Sequence, residues 1–133
     1  MPEQQLSVDV LRKALASLKK AVAKHKDEYV RDAAIRRFEY AYELTYQRLK
    51  YCLVQDEGIA QVRRLSRKDL IRLAAEKGLI ENAAAWFDYH AARNEAYEHN
   101  DETAERIYLI AARFLPDANL LLAELERRNA KPG

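Results

Sequence analysis

Apolar positions recur at spacings of three and four along most of the chain. Nowhere do they alternate with polar positions between turn signals, so the pattern predicts helices and no strands. The first helix is expected from about Ser7 to His25, with Val8, Leu11, Leu15, Leu18 and Val22 as its seam and Ala14 and Ala21 allowing close approach. The second runs from about Val30 to Asp56 on an inner line of Ile35, Phe38, Tyr42, Thr45, Leu49 and Cys52. Gly58 can close it as a left-handed cap, and residues 59–65 read as a connection. Ser66 opens a short third helix in the capping pattern SRKD, buries Leu70, Leu73 and Ala74, and stops at Gly78. The fourth extends from about Glu81 to Glu98. Asn100 and Asp101 cap a fifth, whose inner face is Ala104, Ile107, Tyr108, Ala111, Phe114 and Leu115. Pro116 is expected to kink or restart that helix before Leu121, Leu122 and Leu125. The closing ERRNAKPG reads as a fraying polar tail. Four long helices, one short one and short loops predict an all-α antiparallel up-and-down four-helix bundle with one additional short helix.

Composition agrees. The 133 residues suit one domain, a single helical bundle over 1–133, and hold only three Gly and three Pro. A formal charge of +2 is too small to imply nucleic acid by itself. Basic residues gather at Lys19, Lys20, Lys24 and Lys26 and at Arg63, Arg64, Arg67 and Lys68, and carboxylates at Glu98, Asp101, Glu102 and Glu105. These read first as solvated helix faces, and second as a basic rim for RNA or an acidic partner. Cys52 is the single cysteine, which rules out an internal disulfide and suits a reducing cytoplasm. The N-terminus lacks a signal pattern and no apolar run could span a bilayer, so the expected location is cytoplasmic with no membrane contact.

The most unusual stretch is WFDYHAARNEAYEH, from Trp86 to His99. On a helix, Trp86, Tyr89, His90, Arg93 and Tyr97 share an arc of about 100°. An arginine among rings cannot shed its charge, and once buried it needs a carboxylate, phosphate or carbonyl. The face therefore meets a second copy of the chain or a phosphate-bearing ligand, or its Arg93 satisfies a buried glutamate such as Glu39 or Glu43. Glu39 and Glu43, with Arg36, are spaced for helix-surface ion pairs, and no histidine stands in register to make a metal site with them. Metal ligand sets and glycine-rich phosphate loops are absent from the sequence, so no metal or cofactor is expected and the chain should not itself be a transferase.

RRFEYAYELTYQRLK (36–50), RKDLIRLAAEKGLI (67–80), the Trp86 helix, the Arg93-Asn94 dipeptide, His99 and ETAERIY (102–108) occur in one order. In this the chain resembles the nucleotidyltransferase substrate-binding protein family of the HEPN superfamily. The resemblance implies a bundle of four to five helices that forms a homodimer and associates with a small nucleotidyltransferase subunit. It also implies a second activity. Related HEPN proteins are metal-independent ribonucleases, toxins of toxin–antitoxin pairs, whose arginine and histidine act across the dimer. Carried over, the catalytic pair is Arg93 and His99, with Asn94 as the polar residue after the arginine. Five residues separate the pair, so on an unbroken helix they would point about 120° apart. They converge only if the helix ends before His99 or if two protomers share the site. Where toxin members carry a tyrosine two residues after the histidine, this chain has Asp101.

Two functions follow. One is a homodimeric substrate-binding subunit in which Trp86, Tyr89, His90, Arg93, Asn94 and Tyr97 line a groove for a nucleotide or RNA. Its rings would stack on a base while Arg93 meets phosphate. The other is a metal-independent endoribonuclease in which His99, or His90 in its place, moves protons and Arg93 holds the phosphate oxygens.

Overall fold

In the computed structural model, residues 2–96 and 100–130 are described, with side chains for 8–96 and 100–128. Six helices are described: α1 Pro2–Ala23, α2 Glu28–Glu57, α3 Ile59–Arg63, α4 Arg67–Glu76, α5 Ala83–Glu95 and α6 Asp101–Ala130. Their starts follow from short polar side chains that accept the first free backbone N–H groups. Asp27 accepts from Val30 N at 2.8 Å, Ser66 from Asp69 N at 3.1 Å, Asn82 from Ala85 N at 3.3 Å and Asn100 from Thr103 N at 2.9 Å. Gly58 ends α2 at φ 89°, a left-handed value that glycine adopts without strain.

α2 is the hub and packs against every other helix. Arg12 reaches Glu126 while Tyr108 donates to the Val22 carbonyl, so α6 runs antiparallel to α1. Arg31 meets Asp101 at one end of the bundle and Arg128 approaches Asp56 at the other, so α6 runs parallel to α2. That is the diagonal relation of an up-and-down bundle. The centre is aromatic. Phe114 of α6 is fully buried, with ring centroids of Phe38 and Tyr89 at 5.3 Å, Trp86 at 5.7 Å and Tyr42 at 6.1 Å. The expected inner lines of the first two helices are largely buried, Leu11, Leu18, Phe38 and Tyr42 completely.

Four expectations need correction. Residues 59–65 are not a plain connection, because Ile59–Arg63 is helical and buries Val62 as its one anchor. Pro116 does not restart the last helix; α6 is continuous from Asp101 to Ala130. Pro116 faces solvent, while Phe114, Leu115, Ala118 and Leu121 around it are buried, so packing outweighs the one missing hydrogen bond. The same helix carries most of the expected tail, with Arg127 and Arg128 paired to Glu124. Finally, α5 stops at Glu95, short of the expected Glu98, and Ala96 N–H closes on the Ala92 and Arg93 carbonyls.

Candidate functional site: a shared carboxylate between two arginines

The site lies where α5 and the start of α4 meet the middle of α2. Glu43, half-buried on α2, receives Arg93 Nε of α5 at 3.0 Å and Arg67 Nη1 of α4 at 3.4 Å. The Arg93 contact is an ion pair rather than an aligned hydrogen bond. Arg67 is placed by its position directly after the Ser66 cap, and its guanidinium lies over the Tyr46 ring, 4.3 Å from the centroid. Two guanidiniums thus converge on one carboxylate.

His90 stands on the same side. Its Nδ1 lies 3.3 Å from the Tyr42 hydroxyl, and its Nε2 lies 3.4 Å from Asn94 Nδ2. With the amide donating to Nε2, the neutral ring carries its proton on Nδ1 and donates to Tyr42. Burial, and then the charges of Arg67 and Arg93, push the His90 pKa below its usual value, so the ring is neutral at neutral pH. Burial pushes the Tyr42 hydroxyl far above the usual tyrosine range, which keeps it protonated. The arrangement can offer an anion two guanidiniums and a side-chain amide, beside a neutral imidazole.

The face expected from the sequence divides. His90, Arg93 and Asn94 come together at the surface edge of α5. Trp86 and Tyr89 do not join them. They are 2% and 1% exposed, stacked edge-on to each other and to Phe114, and the Tyr89 hydroxyl donates to Asp117. Within this chain neither ring is open for stacking on a base. Their size and their partners on α6 draw them into the core, so they anchor α5 instead. Tyr97 and His99 lie outside the described residues. Of the two glutamates named as partners for Arg93, Glu43 is the one that pairs. Arg67, Tyr42 and Tyr46 were legible only as a basic residue and as rings of α2, because nothing local ties them to α5.

An all-helical bundle of this shape is known from solved structures. The substrate-binding domain of a nucleotidyltransferase from Haemophilus influenzae superposes with a TM-score of 0.81 at 28% identity, covering 90% of this chain and 98% of that one. A protein of Thermus thermophilus superposes with a TM-score of 0.76 at 30% identity, covering 86% and 98%. The fold is thus that of a nucleotidyltransferase substrate-binding domain. The chain belongs to the family described as nucleotidyltransferase substrate binding protein like, whose model matches residues 6–127. It is also 30% identical, over 97% of its length and 98% of the relative's, to a Haemophilus influenzae protein named Probable ribonuclease HepT.

Proposed function

We propose that the chain is a homodimeric substrate-binding subunit that associates with a small nucleotidyltransferase and presents Arg67, His90, Arg93 and Asn94 to a nucleotide or another phosphate-bearing ligand. The observation that carries this is the convergence of Arg67 and Arg93 on the Glu43 carboxylate. The two guanidiniums offer charged donors to an incoming phosphate, and Asn94 supplies a neutral donor beside them. Trp86 and Tyr89 serve by fixing the angle of α5 rather than by touching ligand. The test is calorimetric titration with ATP, alongside sedimentation for the oligomeric state. Binding that Arg93→Ala weakens about tenfold supports the reading. A parent protein that is monomeric and inert toward ATP overturns it.

The 30% identity to the Haemophilus influenzae protein favours a second reading, a metal-independent ribonuclease acting as the toxin of a toxin–antitoxin pair. There Arg93 holds the scissile phosphate and His99 moves the proton. RNA incubated with the protein in EDTA decides between the two. Cleavage abolished by both Arg93→Ala and His99→Ala establishes the enzyme, and intact RNA leaves the binding subunit.

A further inference from the structure

The side of α2 that faces α1 takes no part in the arginine cluster. There Arg37 Nη1 donates to the Ser17 carbonyl of α1 at 2.8 Å. Beside this bond the two helices leave a depression of about 380 Å³. Its floor is Val10, Ala14 and Tyr40, and its rim is Lys13, Arg36 and Arg37. Val10 and Tyr40 are 38% and 57% exposed, unusual for large apolar side chains with a core available nearby. Among the described residues no carboxylate lines the depression.

The occupant must bring carboxylates and an apolar side chain together. A second copy of this chain does not fit. A twofold contact sets a patch against itself, and here that would press Lys13, Arg36 and Arg37 against the same cations. Single-stranded nucleic acid asks for a run of open rings, whereas this floor is one ring and two small aliphatic side chains in a cleft between helices. A polypeptide helix laid into the groove meets both needs, with apolar side chains at helical spacing inside and acidic ones on its flanks.

We infer that the α1–α2 groove docks a separate polypeptide through an acidic amphipathic segment. One apolar side chain sits between Val10, Ala14 and Tyr40, and carboxylates reach Lys13, Arg36 and Arg37. This surface is independent of the nucleotide reading above.

The test is to pan the full-length protein against a display library of random peptides long enough for four helical turns. The expected sequences combine Asp or Glu with Leu, Ile or Phe at helical spacing. A synthetic representative should lose about tenfold or more in affinity against the Arg36→Glu, Arg37→Glu protein and against Tyr40→Ala. ATP binding by the Arg36→Glu, Arg37→Glu protein should stay at the parent level, which separates failure here from failure of the nucleotide site. Three results overturn the inference: enriched peptides without acidic residues or with equal affinity for the variants, a single-stranded RNA oligonucleotide whose binding the same variants abolish, or a dimer that the charge reversal dissociates.

Discussion

Arg93 Nε and Glu43 Oε1 stand 3.0 Å apart across the seam between α5 and α2, and Glu43 divides its charge between that arginine and Arg67. The pair holds the two helices together, and on the proposed reading it also tunes the charge offered to a ligand. Glu43→Gln should cost about 1 kcal/mol or less, because both side chains are partly open to water. The same change removes a competing anion and should tighten ATP. Arg93→Ala should weaken ATP. Urea unfolding and calorimetry on both proteins check this. If each change lowers stability and neither moves affinity, Arg93 serves structure alone.

His90 makes stability depend on pH. Its folded pKa lies below the unfolded value, first through burial and then through Arg67 and Arg93. The unfolded chain therefore takes up the proton more readily. The contribution is fully present above the unfolded value of about 6.5 and is lost as pH falls from there through the folded value. Urea midpoints should drop over that acid range in the parent and drop less in His90→Gln.

Phe114 is where four aromatic side chains of two other helices converge. Phe114→Ala should destabilise by about 3–5 kcal/mol, the transfer term plus an unfilled cavity. Tyr89→Phe keeps the ring and deletes the donor to Asp117, so about 1–2 kcal/mol is expected. Denaturant titrations should show this ordering. A Tyr89→Phe loss as large as that of Phe114→Ala would mean the hydroxyl, not the ring, fixes α5.

Pro116 interrupts the hydrogen-bond ladder of a 30-residue helix on its wet side. Pro116→Ala restores the N–H and a favourable propensity, offset in part by a freer unfolded chain. The net should be a gain of about 1–2 kcal/mol. Thermal unfolding checks it, and a loss would show that Pro116 has a packing role.

The inner lines of α1 and α2 were readable because helical burial obeys a local rule, one neighbour every three or four residues. The Ser66 and Asn100 caps act over three residues and are local as well. Residues 59–65 escaped the pattern because a single turn with one buried valine carries no period to detect. Pro116 misled for the opposite reason: its local penalty is real, but apolar neighbours on the far side of α6 outweigh it.

The WFDYHAARNEAYEH stretch shows where such reading stops. Its residues announce that rings and an arginine share one helix, and periodicity makes that helix unavoidable. Which of them face inward is not written there. Trp86 and Tyr89 go to the core because Phe114 and Asp117 wait for them on α6, and Arg93 stays at the edge because α2 brings Glu43 to it. Helices arise from neighbours along the chain, so order along the chain reveals them. A charge cluster arises from neighbours across helices, and only the packed bundle decides which carboxylate two distant arginines will share.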